Sequence, residues 1–497
     1  MKKKIILGGF EKYNKDDLLE YFPKVKFLRL SHESDADFDR NFGTFPSNKH
    51  FLFESYKFYS QSEVDENIFS FLNSEQYKNF SKRALIASSR GSRAEFPNNI
   101  QIAMESNNSV LFYVNDILSK EDYKSIYMII FSFTPHTVID WAIYYLLRFH
   151  KINCFSLNPL PNSELSLVYK NILDNLDNRV AIKPIKLDFD FDRNNDSNLD
   201  FSEVYKFGKF NKPNYMKYNE NRFPEVGLNK KFFIRFFIQT YQGFKILIKQ
   251  YYIFIFKKNL KNKTRKLFRS PYSINQLFSR FLILRTSNLT DKCKTLKIDN
   301  LINSKFVYIP LHVQPESSSE TTGDIYIDQL LFIKQIRFII PGDWNILVKR
   351  NPLDSTPYSY LRHQAYWESI TKIKNTFIIE SKTESRLLIE KSLLVSSVSG
   401  TACFEANLIS KPSIYGGDSN FSNSPLSTKI YKIQNQVEFL NWFNSIENLS
   451  FKEKGKLMND FLNELNYKAV PGEHHYKSIY SKKRNLKWFS QILNSCK

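Results

Sequence analysis

The 497 residues are 42% hydrophobic, 24% charged and 16% aromatic, with only 14 glycines and 18 prolines. That is enough apolar side chain for real cores, so a largely disordered chain, a collagen-like one and a Pro/Gly low-complexity one are all excluded. The four cysteines, at 154, 293, 403 and 496, are far apart and form no CxxC, which excludes a disulfide scaffold or zinc ribbon and fits a reducing cytosol.

At roughly 100–200 residues per domain the length predicts two to four domains. Along residues 1–222 the runs KKKIILGGF, KVKFLRL, SVLFYV, SIYMIIFSF and KINCFSL read as strands. Between the last two, DWAIYYLLRFH has the apolar spacing of a helix, and Thr137 stands ready to cap it. Strand, helix, strand is the unit of a parallel α/β sheet. The opening residues read as the first strand and not as a signal peptide, because acidic residues follow the short apolar run at once. The span 186–222 is polar and reads as a surface loop.

Residues 223–295 break the rhythm. Between Glu225 and Asp291 there is no acidic residue, while Lys230 through Arg285 supply fourteen of the net +21 charges. Lys245, Lys249 and Lys257 punctuate a run crowded with Phe, Tyr and Ile, so a helix here would carry a cationic stripe beside a broad apolar face. Such a helix suits an anionic membrane surface, and equally an inter-domain linker packed on the protein. A nucleic-acid surface is the third reading, but no nucleic-acid module accompanies it and none is expected. No run of 18 apolar residues occurs, so no spanning helix is expected.

From about 296 to 433 the alternation returns. KFVYIPL is a strand, HVQPESSSETTGD a polar loop, DQLLFIKQIRFII a helix and WNILVKR a strand. A helix around YLRHQAYWESITKI, the strand TFIIE, the helix ESRLLIEKS and the strand LLVSSV follow. SGTACFEANLIS reads as a turn and helix, KPSIYGG as a last strand, and 434–497 as a helical segment. The fold class predicted is α/β, with two Rossmann-type domains facing a cleft, a basic helical insert and a helical C-terminal segment.

Four motifs carry chemistry. Ser399, Gly400 and Thr401 lie where a strand's carboxyl end meets a helix start, a place where backbone N–H groups and the helix dipole bind phosphate. Glu405, one turn on, can accept from a sugar hydroxyl. The plainer alternative is that Ser399 caps the helix and Glu405 is solvated. His312, Gln314 and Glu316 alternate along the loop after the strand KFVYIPL and can face one ligand. Lys349, Arg350 and Asn351 end another strand, with cations suited to a diphosphate. In the first half His136 and Asp140 are acid/base candidates, although Asp140 can equally stabilise its own helix start; Glu105 is a weaker candidate of the same kind. No Walker A, G-x-G-x-x-G, HExxH or metal-spaced cluster is present.

The order PLHVQPES, a helix opening with DQ, VKRNP and SSVSGTACFEANLISKPSIYGG resembles the bacterial capsule polysaccharide biosynthesis proteins, which include the Kdo transferases. The resemblance is specific over about 305–417, loose over 125–160 and absent from the basic window. It implies a GT-B-like fold and transfer of a sugar, Kdo-like and CMP-activated, to a capsule or surface-polysaccharide precursor. No cofactor and no catalytic metal are implied, the nucleotide sugar being substrate and a glycolipid or polysaccharide the acceptor. His312, Gln314, Lys349, Asn351, Ser399, Gly400, Thr401 and Glu405 would hold the donor, with Asp140, His136 and Glu316 as catalytic groups. The basic window 226–290 would keep the protein at the inner face of the plasma membrane. Family members commonly have His-Pro where this chain has Asn351–Pro352, which removes a titratable group. A CDP-polyol phosphotransferase of teichoic-acid type and a non-catalytic nucleotide- or glycan-binding scaffold are the competing readings.

Overall fold

The structure is a computed structural model. It describes residues 4–8, 26–30, 43–44, 59, 64–91, 100–131, 133–161, 165–187, 205–208, 241, 303–314, 317–351, 364–379 and 383–471. Glu316 and, Tyr241 apart, the basic segment 226–290 lie outside them. Two compact units result, one of Met1–Val204 with Glu464–Lys497 and one of Tyr205–Asn463.

The first unit holds a sheet of seven strands among the described residues: β1 (Lys4–Gly8), β2 (Lys26–Leu30), β3 (Gly43–Thr44), β4 (Ile126–Phe131), β5 (Asn153–Pro159), β6 (Leu165–Lys170) and β13 (Ala469–Pro471), in the order β13-β6-β5-β4-β1-β2-β3. Strands β1 to β5 run parallel, and β6 is antiparallel to β5. The chain's late return as β13, antiparallel to β6, has no sequence signal beyond three residues. Helices α1 (Glu66–Leu72), α2 (Glu75–Gly91), α3 (Ile100–Lys120), α4 (Val138–Phe149) and α5 (Ile172–Asp177) accompany the sheet.

SVLFYV, expected as a strand, is part of α3. Its buried residues Val110, Leu111, Val114 and Leu118 are spaced for one helix face, and they continue past the six-residue run. A short apolar run is ambiguous between strand and buried helix, and length arbitrates. The helix at 138–149 forms as expected. Thr137 caps it by accepting from the Asp140 N–H at 3.2 Å while the Asp140 carboxylate accepts from the Thr137 N–H at 3.0 Å, a reciprocal capping box. Its stretch Trp141–Leu147 is buried throughout, each large apolar side chain contributing roughly 1.5–3 kcal/mol.

The second unit holds β7 (Phe306–Pro310), β8 (Asn345–Lys349), β9 (Thr376–Ile379), β10 (Leu394–Ser397), β11 (Ser413–Tyr415) and β12 (Ser427–Lys429), in the order β12-β11-β10-β7-β8-β9. All neighbours pair in parallel. Continuous apolar strands such as FVYIP are what a sheet covered on both faces requires. Its helices are α6 (Ser317–Thr322), α7 (Gln329–Ile339), α8 (Gln364–Thr371), α9 (Ser385–Lys391), α10 (Thr401–Leu408), α11 (Gln436–Glu447) and α12 (Phe451–Lys468). The loop expected after β7 thus contains a short helix, α6. In the core Trp344 meets Phe439 and Phe443 edge-on at 5.8 and 5.1 Å, fastening α11 to the strand β8 that Trp344 precedes.

Counted from its first strand, the second sheet runs 3-2-1-4-5-6, the Rossmann order, and the first runs the same way with its sixth strand reversed and β13 added as a seventh, so the expected pair of doubly wound α/β sheets is observed. In such a sheet ligands sit outside the strands' carboxyl ends where the winding reverses. That point lies between β1 and β4 in the first unit and between β7 and β10 in the second. Among the described residues no helix is long and apolar enough to cross a membrane.

Candidate functional site

At the reversal point of the second sheet, the residues leaving β7 and β10 are joined by hydrogen bonds. His312 follows β7, and its Nε2 lies 3.1 Å from the Ser397 Oγ at the end of β10. The Ser399 N–H donates to the same Nε2 at 3.3 Å, and the Gly400 N–H donates to the Ser397 Oγ at 3.3 Å. A Cβ on Gly400 would stand 2.7 Å from that Oγ and 3.3 Å from the His312 Nε2, so glycine is what this turn accommodates. Gln329, 1% exposed at the start of α7, grips the backbone of His312 from the other side. Its Oε1 accepts the His312 N–H at 2.9 Å and its Nε2 donates to the His312 carbonyl at 3.4 Å.

Helix α10 starts directly from this turn. Gly400 is its N-cap and, having no side chain, makes no side-chain cap bond to the first turn, while the positive end of the helix faces the strand ends. The Ser399 Oγ is shielded from solvent and has no hydrogen-bond partner. Such a group calls for an explanation, and an acceptor brought by a ligand is one. One turn into the helix Glu405 is buried, and its Oε1 accepts from the Thr401 hydroxyl at 3.0 Å. Burial pushes its carboxyl up to about 7, against the opposing effect of the Thr401 bond. Glu405 is therefore not solvated, and Ser399 does not cap the helix.

Lys349 ends β8 and is also buried. Its Nζ donates to the Ser385 Oγ at 2.7 Å, at the start of α9, and the Tyr308 hydroxyl donates to the same oxygen at 3.3 Å. The Tyr308 phenol is pushed up by burial, and its charged form is further disfavoured by Glu405. Asn351 donates through Nδ2 to the Leu311 carbonyl at 3.4 Å, and Arg350 lies over the Trp367 ring at 5.5 Å. Gln314 donates to the Ile327 carbonyl, so its amide serves the loop between α6 and α7. The fold thus gathers His312, Ser399, Gly400, Thr401 and Glu405 around one strand junction. Lys349 and Asn351 stand at the neighbouring strand end.

In the first unit the segment after β4 carries His136 and Asp140. The His136 Nδ1 is 3.2 Å from the Thr134 carbonyl. The Asp140 carboxylate is fully buried and accepts from the backbone N–H groups of His136 at 3.3 Å and Thr137 at 3.0 Å. Its geometry is that of a capping residue holding the backbone in front of α4, the alternative open at the sequence level. Glu105 is exposed on α3.

Sequence reading did not single out Gln329, Ser397, Ser385 or the buried ion pair of Lys429 with Asp418. Lys429 also donates to the Gly417 carbonyl at 2.5 Å, tying β12 to the loop after β11. Gln329, the Gln of the DQ opening α7, and Ser397, the second Ser of SSVSGTACFEA, lie within the quoted motifs; Ser385, Asp418 and Lys429 lie outside them. Among the described residues no cluster of three His, Cys, Asp or Glu could hold a metal ion.

The chain matches no family model and no curated protein. Among solved structures it is similar to the Thermosulfurimonas dismutans KpsC β-Kdo 2,7 transferase, at 11% identity over 92% of this chain and 90% of that one, with a TM-score of 0.30. A UDP-forming trehalose-phosphate synthase from Burkholderia xenovorans gives 9% identity over 100% and 99%, TM-score 0.30. A Methanocaldococcus jannaschii UDP-GlcNAc 2-epimerase gives 13% over 94% and 100%, TM-score 0.24. Likenesses this distant carry no argument; the two sheets and the side chains at their strand ends do.

Proposed function

We propose that this chain is a glycosyltransferase that takes a sugar from a nucleotide-activated donor, with the nucleotide held at the carboxyl ends of β7, β8 and β10. The observation that carries the reading is the junction at the reversal point. There a helix start whose N-cap brings no side chain, a glycine lying close against the Ser397 hydroxyl and the unpartnered Ser399 hydroxyl stand together. That combination suits a phosphate, and Glu405 with Thr401 suits a ribose or sugar hydroxyl. The motif order from PLHVQPES to SSVSGTACFEA supports the finer reading of a CMP-linked, Kdo-like donor and a capsule or surface-glycan acceptor.

In the reaction the acceptor oxygen forms a bond to the anomeric carbon as the carbon–oxygen bond to the leaving nucleotide breaks. The nucleotide departs with the electron pair. The helix dipole, the hydroxyls of Ser399 and Thr401 and the Lys349 ammonium would stabilise the charge it gains. The acceptor's proton needs a base. Of the two candidates in the first unit, His136 suits that role better than Asp140: in its neutral form, an Nδ1 that donates to a carbonyl leaves the lone pair on Nε2. Asp140, spent on two backbone N–H groups, positions His136. Glu316, outside the described residues, is the remaining candidate. Segment 226–290 would keep the enzyme at an anionic membrane surface near a lipid-linked acceptor.

The test is thermal-shift binding of CMP, CDP, UDP and GDP to the wild type and to Thr401→Ala/Glu405→Ala. Selective stabilisation by one nucleotide, about 2.7 kcal/mol at ~100-fold over Kd and lost in the double variant, is expected. No response to any nucleotide would refute the reading. A second reading, a nucleotide-binding scaffold without transfer, is favoured by Asn351, a neutral amide bonded to the Leu311 carbonyl with no charge to offer a phosphate. Release of sugar from a bound donor in the absence of acceptor would exclude it.

A further inference from the structure

Resting on that reading, we infer that His312 is not a cationic phosphate ligand but a neutral positioning residue, whose Nε2 lone pair shapes the donor-binding turn between β10 and α10. The inference follows from counting donors. The Ser399 backbone N–H points at the His312 Nε2 from 3.3 Å, and an amide nitrogen can only donate. Nε2 must therefore be bare, which places the ring hydrogen on Nδ1. The Ser397 hydroxyl fits the same assignment. It accepts the Gly400 N–H and so has its own hydrogen to direct at Nε2, 3.1 Å away. Two donors, one from the backbone and one from a side chain, thus converge on one lone pair.

The rest of the arrangement serves to keep the ring there. Gln329 holds both the N–H and the carbonyl of His312, so the residue cannot slide along the loop. Gly400 leaves too little room for a Cβ between itself and the Ser397–His312 pair, so the turn closes directly on the ring. A protonated imidazole would turn an N–H toward the Ser399 N–H, leaving that buried donor without an acceptor. The turn that launches α10 would open, and with it the disposition of the Ser399 and Thr401 hydroxyls. The ring acts through the turn it holds, from the strand on the other side of the reversal point.

The experiment uses the full chain labelled with nitrogen-15 histidine, with His312→Gln identifying the His312 signals. At neutral pH the Nδ1 signal should be of the protonated type and Nε2 of the bare, hydrogen-bonded type. A protonated Nε2, alone or in a doubly protonated ring, overturns the inference whatever nucleotide does. CMP titration adds the functional arm. In His312→Gln an amide oxygen can take the place of Nε2, and affinity should stay within about threefold of wild type; His312→Lys should lose at least about tenfold. The opposite order, with Lys retained and Gln lost, would make the residue a phosphate ligand and sink the proposal. If the wild type itself binds no CMP, the proposed function fails, while the spectrum still decides the role of the ring.

Discussion

The two units share a strand order and differ in what they do with buried polar side chains. In the first, Arg83 of α2 pairs with Asp177 of α5 at 2.7 Å, with the Tyr145 hydroxyl of α4 on the other carboxylate oxygen at 2.5 Å. Beside it Arg148 and the Tyr144 hydroxyl hold Asp174, both at 2.9 Å. Those groups satisfy one another and fasten helix to helix. In the second unit the buried Ser397, Lys349 and Glu405 and the half-buried His312 gather at strand ends, bonded to hydroxyls and backbone. A charge needs either a partner or a shifted protonation state when it leaves water. The first unit supplies partners for its charges; the second does so for Lys429 and Asp418 but leaves Glu405 with a raised proton affinity.

The contrast predicts opposite responses to substitution. Arg83→Ala would strand the Asp177 carboxylate in the interior and should cost about 3–5 kcal/mol in urea unfolding, with CMP binding by the folded protein intact. A cost below 1 kcal/mol would mean that the pair is not buried in solution. The next effect, in Glu405, depends on pH. Its carboxyl ordinarily titrates near 4.5 and is raised to about 7 in the fold, so the folded state holds the proton more tightly. The penalty is absent below pH 4.5, grows as pH rises through the window from 4.5 to 7, and levels off above. Glu405→Gln should remove this slope, gaining about 3 kcal/mol relative to wild type between pH 4 and 8. Parallel stability curves for the two proteins would refute the buried-acid assignment.

Smaller effects separate shape from recognition. Gly400→Ala must push the Ser397 hydroxyl off the His312 ring and should cost about 1 kcal/mol in thermal unfolding. It should weaken CMP binding as well, because the turn opens. Ser399→Ala removes a hydroxyl that has no partner in the fold, so unfolding should change by less than about 0.5 kcal/mol. CMP affinity should nevertheless fall about tenfold. A stability loss with unchanged affinity would reassign Ser399 to the scaffold.

Much of this could be read along the chain. The strands at KKKIILGGF, SIYMIIFSF, KFVYIP and LLVSS carry their own apolar signal, and the helix after Thr137 carries both its period and its cap. SVLFYV misled because six apolar residues do not distinguish a strand from a buried helix turn; the buried Asn107 and Leu118 on either side continue the helix face. Strand β13 is three residues whose pairing partner is about 300 positions away, so nothing local marks it. The candidate site at SGTACFEA stood out because Gly and hydroxyl residues between a strand and a helix suit a phosphate as well as a helix cap. Gln329 and Ser397 were not, since amides and hydroxyls are common and their meaning depends on what they face.

Alternating periodicity and turn residues, which are properties of neighbouring positions, were sufficient for the α/β class, the two Rossmann-type sheets and the strand ends where chemistry collects. The roles of several polar groups were set by contacts between distant positions, 85 residues apart for His312 and Ser397 and 36 for Lys349 and Ser385. Protonation, capping and burial depend on the residues that packing brings near. That is why Glu405 proves to be a buried acid and not a solvated one.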